Sequence, residues 1–441
     1  MPCEAVSSAL RAVPKGRDDG CPGWERLLHA AWREERRHPE ISLQLVEAVL
    51  TSFGTDSTVA MAKACFLKAK LHIEGCGNLH TGLLWLSQAL SNASQCIIRN
   101  AQDGEPKATL LTPLEVSGWV FHLCRTLFFV GCESCSLIVA EAFTSQQFPA
   151  AWPIADKVQP AAAACSNHEC VLQSDLTSIC KAASLTTNKY HLGTLLHSLI
   201  VMSTSRLDLL PACAASVLEW LPLRRQDLSR QFNAEIRYAT VIERLLPFPS
   251  TSSTPTVRVT LLGDSHILPA AWHVFQDNTG ITVQLQPQLV MGLKAWHFNP
   301  ALITSRERDI LACTLPLLPK GCPLLVSAGE IDLREEGPIA NLPAYFHASR
   351  PAKYASTAEA LDATMAAFVT GLVALQGQVE AMVVVQAVRP PPRSTAHLEL
   401  ISGLVQLWNS RLMVAVAELE HVACMHLPDL GERVDGNVVL R

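Results

Sequence analysis

Charged residues are scarce in this sequence: they make up 17% of its 441 residues, whereas apolar residues make up 49%. This composition is typical of a chain that buries a large core, and it argues against global disorder. No block rich in Lys or Arg occurs, and the formal net charge is -5. We therefore expect no nucleic-acid partner. The length favours two or three domains.

Long apolar runs and a secretory leader are also missing. The longest apolar runs, such as residues 381–385, are far too short to cross a bilayer. The first residues lack a basic stretch followed by an apolar core. The 15 cysteines, an odd number, lie largely within apolar stretches, which favours a reducing compartment where cysteine serves as a small core residue. These features predict an intracellular, cytoplasmic protein without a membrane association.

Strand-like alternation is nearly absent before residue 247, where apolar residues recur at helical spacing instead. Helices are predicted around residues 24–31 and 43–50, and over 58–73, 80–98, 115–130, 172–183, 190–202, 207–221 and 228–246. Successive helices with short breaks predict a solenoid-like array, and a more compact helical domain is the alternative. Residues 60–93 distantly resemble a tetratricopeptide repeat, and that resemblance implies a protein partner for this half.

Two segments without regular spacing divide the chain. Residues 1–22 carry several Pro and Gly and are predicted to be a poorly ordered lead-in. Residues 249–256 are rich in Ser, Thr and Pro and are predicted to be a linker. A helical domain over 23–248 and a second domain over 257–441 follow from these two boundaries.

After the linker, strand-like and helix-like segments alternate. Strands are predicted over 257–262, 281–285, 323–327, 381–388 and 422–425, and helices over 267–275, 305–313, 355–376 and 396–420. About five strands joined by crossovers predict a parallel sheet that is covered on both faces. The predicted fold class is therefore α + α/β: an all-helical half, then a flavodoxin-like, three-layer α/β/α domain.

Candidate site residues, all but one with polar side chains, follow several of these predicted strands. They are Asp264, Ser265 and His266 after the first strand, the glycine Gly292 with Lys294 and His297 after the second, Glu330, Asp332 and Arg334 after the third, and His426 after the last. Because loops at the carboxyl ends of parallel strands meet at one edge of a sheet, these residues are candidates for a single site. A serine, histidines and carboxylates together suit nucleophilic catalysis or the binding of a polar ligand.

The second domain resembles the SGNH, or GDSL-type, hydrolase superfamily over residues 257–441. Gly263-Asp264-Ser265 matches the first block of that family, Gly292 stands where the glycine of the second block falls, and residues 329–334 match the third block in position. The resemblance implies that Ser265 is the nucleophile. It also implies that backbone N–H groups of Ser265 and Gly292 hold the oxyanion, with Lys294 or Arg334 helping to bind the substrate.

Two positions depart from the family pattern. Ile331 stands where the third block has an asparagine that donates to the oxyanion, and Val438 stands where the fifth block has its histidine. A serine needs a base to accept its proton. His426 is the leading substitute, and His297 is a second, whereas His266 adjoins the serine and points away from it.

These observations leave several functions open. The leading hypothesis is a serine ester hydrolase of the esterase or O-deacetylase type, acting on a small-molecule or glycan ester without a cofactor. The alternative is an inactive SGNH-fold binding or scaffold protein, and a third reading is recognition of a sugar or phosphate. Structural roles compete at single positions: Ser265 as a helix N-cap, or an ion pair between Asp332 and Arg334. We interpret Cys132-x-x-Cys135 as buried thiols rather than half of a zinc site, and expect no metal.

Overall fold

A computed structural model describes residues 23–35, 38–53, 58–75, 77–103, 111–144, 189–205, 236, 257–277, 279–299, 305–334, 337, 339–340, 356–391, 395 and 397–425. The chain divides into two units. One is Met1–Phe248 with Thr304–Ile310, and the other is Pro249–Ile303 with Leu311–Arg441. The lead-in predicted at 1–22 and the linker predicted at 249–256 lie outside the described residues.

The described part of the first unit is helical, as the sequence predicts. Its α-helices are α1 Gly23–Glu34, α2 Pro39–Phe53, α3 Thr58–Lys70, α4 Leu79–Asp103, α5 Pro113–Phe129, α6 Glu133–Thr144 and α7 Lys189–Ser205. Each of the first six packs against the next along the chain, and α7 packs against α5 and α6. The helices predicted at 172–183, 207–221 and 228–246 lie outside the described residues, apart from residue 236.

Helix α1 shows why the spacing of apolar residues was informative. Trp24, Leu27, Leu28 and Ala31 recur at intervals of three and four, which places them on one face of the helix. All four are buried, and they belong to a core cluster that also takes in Leu45 and other residues of α2 and α3. Burial of this face, rather than intrinsic helix propensity, supplies most of the stability of such a helix.

In the described residues, the second unit contains one six-stranded sheet in the order β2-β3-β1-β4-β5-β6. The strands are β1 Val257–Gly263, β2 Val274–Gln276, β3 Thr282–Leu289, β4 Leu324–Ser327, β5 Val383–Gln386 and β6 Val422–Met425. Strand β1 pairs in parallel with β3 and β4, and the pairs β4–β5 and β5–β6 are also parallel. The broad α + α/β class is thus confirmed, but the sheet is mixed, because β2 pairs antiparallel with β3.

Strand β2 stands where the sequence predicts the end of a helix over 267–275. The chain forms only a short 3-10 helix, Ser265–Ala270, which contains Pro269. Trp272 then adopts a left-handed backbone conformation with φ of 62°, which an α-helix cannot accommodate. The helical spacing of the apolar residues was therefore misleading, and the chain instead turns to add β2 to the edge of the sheet.

The remaining α-helices in the described residues are α8 Arg306–Thr314, α9 Glu330–Leu333, α10 Thr357–Val379 and α11 Leu398–Ala417. Residues 306–310 of α8 belong to the first unit, and the other three helices lie in the second. Helix α10 packs against β5 and β6, and α11 packs against β6. Both α10 and α11 are long and apolar enough to cross a membrane by length and composition alone, although no single run in the sequence suggested it. Core helices beside a sheet pass the same test, so the expected cytoplasmic location stays a prediction.

Candidate functional site

Three loops meet at the carboxyl ends of β1, β3 and β4. We name them the serine turn (residues 263–266), the Gly292 loop (residues 290–298) and the third loop (residues 328–334). The serine turn and the Gly292 loop are joined by a hydrogen bond of 2.8 Å from Val290 N–H to the Gly263 carbonyl oxygen. The Gly292 loop and the third loop are joined by a bond of 2.8 Å from Ala295 N–H to Asp332 Oδ2. The three sequence blocks therefore come together.

The glycine that opens the serine turn is required by its neighbours. A Cβ atom at Gly263 would lie 2.4 Å from Ile267 Cγ2 and 2.7 Å from the carbonyl oxygen of Ser327. Since Ser327 is the last residue of β4, the contact is with backbone that cannot move without disturbing the sheet. Glycine thus allows the ends of β1 and β4 to approach closely enough for their loops to touch.

Asp264, rather than Ser265, caps the short helix that follows β1. Its backbone is extended, and its Oδ1 accepts a 3.0 Å hydrogen bond from His266 N–H. Ser265 is the first residue of that helix and is half-buried. The capping role considered for Ser265 therefore belongs to Asp264, and the serine hydroxyl is not needed to start the helix.

His266 joins the serine turn to the third loop. Its Nδ1 lies 2.8 Å from Asp264 Oδ1, and its Nε2 lies 2.8 Å from Arg334 Nη2 and 3.2 Å from Glu330 Oε2. Because a guanidinium group only donates, Nε2 of the neutral imidazole accepts from Arg334, and Nδ1–H donates to Asp264. Both ring nitrogens of His266 are thus engaged by groups other than Ser265.

Arg334 is paired with Glu330 and not with Asp332. Its Nε and Nη2 donate to Glu330 Oε1 and Oε2 over 2.9 and 2.8 Å, which is the two-pronged geometry that guanidinium and carboxylate groups favour. The ion pair considered between Asp332 and Arg334 is wrong. Glu330 and Arg334 stand four residues apart, and this spacing was the signal in the sequence for their pairing.

Asp332 lies in the interior, where it cannot face a substrate. Its side chain is fully buried, Oδ2 accepts from Ala295 N–H, and Oδ1 has no hydrogen-bond partner. Burial raises the pKa of this carboxyl to about 7. The sequence grouped Asp332 with Glu330 and Arg334 as a loop residue open to ligands, but α9 turns it inward.

The Gly292 loop is shaped by its own hydrogen bonds. Gly292 has a φ of 76°, in the left-handed region that favours glycine. Lys294 is half-buried, and its backbone N–H donates to His297 Nδ1 over 2.9 Å. His297 is buried, and its Nδ1 acts as an acceptor, so its Nε2 carries the proton in the neutral ring. This tautomer cannot accept a proton from Ser265, and His426, the other proposed base, lies outside the described residues.

One group in the described ranges has the spacing of a metal site. Ligand atoms of Asp264, His266 and Glu330 lie within 4.8 Å of one another. His266 is hydrogen-bonded to Asp264 and to Arg334, and Arg334 is paired with Glu330, so these side chains already form an ion-pair network. Cys132 and Cys135 are buried, and the other candidate ligands in that region lie outside the described residues.

The fold and the site define an α/β unit with a mixed sheet, in which a serine follows the end of a strand beside a network of charged side chains. Comparisons of the chain with protein-family models, curated proteins and solved structures found no match. The resemblance to SGNH hydrolases consequently depends on the residues of the three loops and on the topology that brings them together.

The network around His266 predicts a pH-dependent contribution to stability. The hydrogen bond that His266 donates to Asp264, followed by the charges of Asp264 and Glu330, raises the pKa of His266, although burial and Arg334 oppose this rise. A raised pKa means that the folded state binds the proton more tightly than the unfolded state. The stabilisation is therefore fully present below the unfolded pKa of about 6.5, and it is lost as pH rises through the higher folded value.

We expect His266→Gln to lower the free energy of unfolding more at pH 5 than at pH 9. Urea unfolding of both proteins at the two pH values measures this difference. The exposed His273 provides the control, as His273→Gln. An equal loss at both pH values would mean that the charged imidazole contributes nothing.

Proposed function

We propose that the second unit is an SGNH-like hydrolase in which Ser265 attacks a short-chain ester, such as an O-acetyl group on a small molecule or glycan. We further propose a flavodoxin-like, three-layer arrangement for it. With β2 set aside, the strand order β3-β1-β4-β5-β6 is the order that this fold uses, and its ligands bind outside the carboxyl ends of the strands. The helical half would then recruit a protein partner.

The observation that carries the proposal is the meeting of the serine turn, the Gly292 loop and the third loop at one edge of the sheet. Ser265 stands two residues after the end of β1 and begins a helix, so its backbone N–H lies in the first turn, where no intrahelical acceptor exists. Gly292, with its left-handed backbone, lies in the loop that the hydrogen bond from Val290 N–H to the Gly263 carbonyl oxygen joins to the serine turn. Backbone N–H groups of Ser265 and Gly292 are the donors that would stabilise the oxyanion.

The charged network has a separate role in this proposal. It links the serine turn to the third loop through contacts among Asp264, His266, Glu330 and Arg334. Because these contacts immobilise the residues on either side of Ser265, they also restrict the position of Ser265. The half-exposed guanidinium of Arg334 lies at the surface of this network and would attract an anionic part of a substrate. Lys294, half-buried in the Gly292 loop, would offer a second cation for the same purpose.

A second candidate function, a binding protein without catalysis, is favoured by the position of β6. His426 follows Met425, the last residue of β6, and β6 lies three strand spacings from β1. Three spacings amount to about 14 Å, which exceeds the combined reach of a serine and a histidine side chain.

Labelling with a fluorophosphonate, which bonds covalently to activated serines, separates the two candidates. For a hydrolase we expect one adduct on the intact protein, located at Ser265 by peptide mass spectrometry, and hydrolysis of 4-nitrophenyl acetate. His426→Ala should abolish both, while His273→Ala serves as the control. A wild-type protein that neither reacts nor hydrolyses the ester would favour the binding protein. Retained reactivity in His426→Ala would exclude His426 as the base.

A further inference from the structure

The buried carboxyl group of Asp332 connects two of the three loops, and the family resemblance gives it no role. It belongs to α9 in the third loop, yet its Oδ2 accepts from the N–H of Ala295 in the Gly292 loop, 37 positions away. Both Ala295 and Asp332 are fully buried, so water cannot replace this bond.

The backbone around Asp332 is held as firmly as its side chain. Its carbonyl oxygen accepts from Ile339 N–H over 3.3 Å. A Cβ at Gly337 would lie 2.4 Å from that same oxygen, so the chain beyond α9 returns tightly against Asp332. Because both the backbone carbonyl and the Oδ2 atom of Asp332 are hydrogen-bonded, this residue can fix the position of the Gly292 loop.

Ala295 is the point at which that loop is best controlled. It is the first residue of the 3-10 helix Ala295–Phe298, and the N–H groups in the first turn of a helix need outside acceptors. His297 Nδ1 satisfies Lys294 N–H, and Asp332 satisfies Ala295 N–H. Gly292 stands only three residues before this capped turn. Loss of either acceptor would release the segment that carries the proposed oxyanion donor.

We propose that Asp332 is a positioning residue, whose buried carboxyl group holds the Gly292 loop in the geometry that the oxyanion requires. This inference rests on the proposed hydrolase function. The unpartnered Oδ1 is consistent with a protonated side chain, since an isolated buried carboxylate is costly and burial raises the pKa of Asp332 to about 7. The charged groups that act on it are Lys294, which lowers the pKa, and Asp264, which raises it.

A neutral amide should therefore replace Asp332 well. In Asp332→Asn the amide oxygen can accept from Ala295 N–H, and the amide NH₂ occupies the place of the protonated oxygen. We expect Asp332→Asn to retain ester hydrolysis within about threefold. Asp332→Ala removes the acceptor, and we expect it to lower kcat on the order of 10- to 100-fold while KM changes less than threefold. Steady-state kinetics on 4-nitrophenyl acetate provide the measurement, with Asp277→Asn in the β2–β3 turn as the control.

Hydrogen exchange of the backbone amides tests the same role without catalysis. We expect residues 292–298 to exchange at least tenfold faster in Asp332→Ala than in the wild type, and at the wild-type rate in Asp332→Asn. If Ser265→Ala hydrolyses the ester normally while the exchange result holds, the hydrolase proposal fails and the positioning role survives. Unchanged exchange in Asp332→Ala would overturn the positioning role.

A substitution at Ala295, which donates the hydrogen bond to Asp332, tests the proposal even if Asp332→Ala fails to fold. Ala295→Pro removes the N–H from the first position of a helix, where proline is favoured, and Lys294 already has the extended backbone (φ -119°, ψ 156°) that precedes proline. We expect the same loss of kcat and the same faster exchange over residues 296–298. Wild-type kcat and exchange in Ala295→Pro would contradict the proposal.

Discussion

Ser265→Ala is expected to lower the hydrolysis of 4-nitrophenyl acetate by at least about 10³-fold, because removal of a nucleophile leaves only the contribution of binding and of the oxyanion donors. The expected loss concerns kcat, since the hydroxyl contributes to the reaction rather than to binding. Initial rates over a range of ester concentrations separate kcat from KM.

The same substitution should leave the fold intact. Asp264 caps the helix after β1, and Ser265 is only half-buried, so we expect the free energy of unfolding to change by less than about 0.5 kcal/mol. Ser410, exposed on α11, supplies the matched control as Ser410→Ala, which should match the wild type in both measurements. A Ser265→Ala protein with wild-type kcat would remove Ser265 from the reaction.

Trp408→Ala is expected to lower the free energy of unfolding by about 3–5 kcal/mol, the usual cost of truncating a buried aromatic side chain. Trp408 is fully buried on α11 and stacks on Phe368 of α10, with ring centroids 6.1 Å apart. It also lies under the third loop: a Cβ at Gly329 would be 3.0 Å from the indole ring. Urea unfolding followed by circular dichroism measures the loss.

Trp408→Phe is the matched control for this cavity. The indole N–H has no hydrogen-bond partner, so phenylalanine forfeits no bond and keeps most of the stacked ring. We expect a loss below about 1.5 kcal/mol, typical of a hydrophobic exchange that nearly conserves volume. Equal losses in Trp408→Phe and Trp408→Ala would show that the aromatic packing on Phe368 does not carry the effect.

The sheet was largely predictable because parallel strands with two covered faces read as short apolar runs. Five of the six strands in the described part of the chain overlap a segment that the sequence predicts as a strand, including Val422–Met425. Strand β2 was not predictable, because it forms only with the left-handed backbone of Trp272 and with antiparallel pairing to β3. The spacing of apolar residues indicates neither feature.

The site was predictable as a meeting of loops, but not in its pairings. Parallel topology alone brings the serine turn, the Gly292 loop and the third loop to one edge. Which carboxylate faces Arg334 depends on the direction in which the short helix α9 turns its side chains: Glu330 faces outward and Asp332 inward. The helical spacing of Glu330 and Arg334 indicated that pair, whereas the burial of Asp332 follows from the tertiary packing.

Strand β2 also limits how this protein can associate with itself through its sheet. An uncovered edge strand offers N–H and C=O groups to any other extended chain. Strand β2 covers the start of β3, where Val274 pairs with Gln284, and His273 extends this cover by accepting Leu285 N–H. Two residues further along, on the same side of β3, stands Pro287, which has no N–H to offer. The short strand β2 and Pro287 thus each protect one part of this edge, and both hinder the growth of intermolecular β-structure from it.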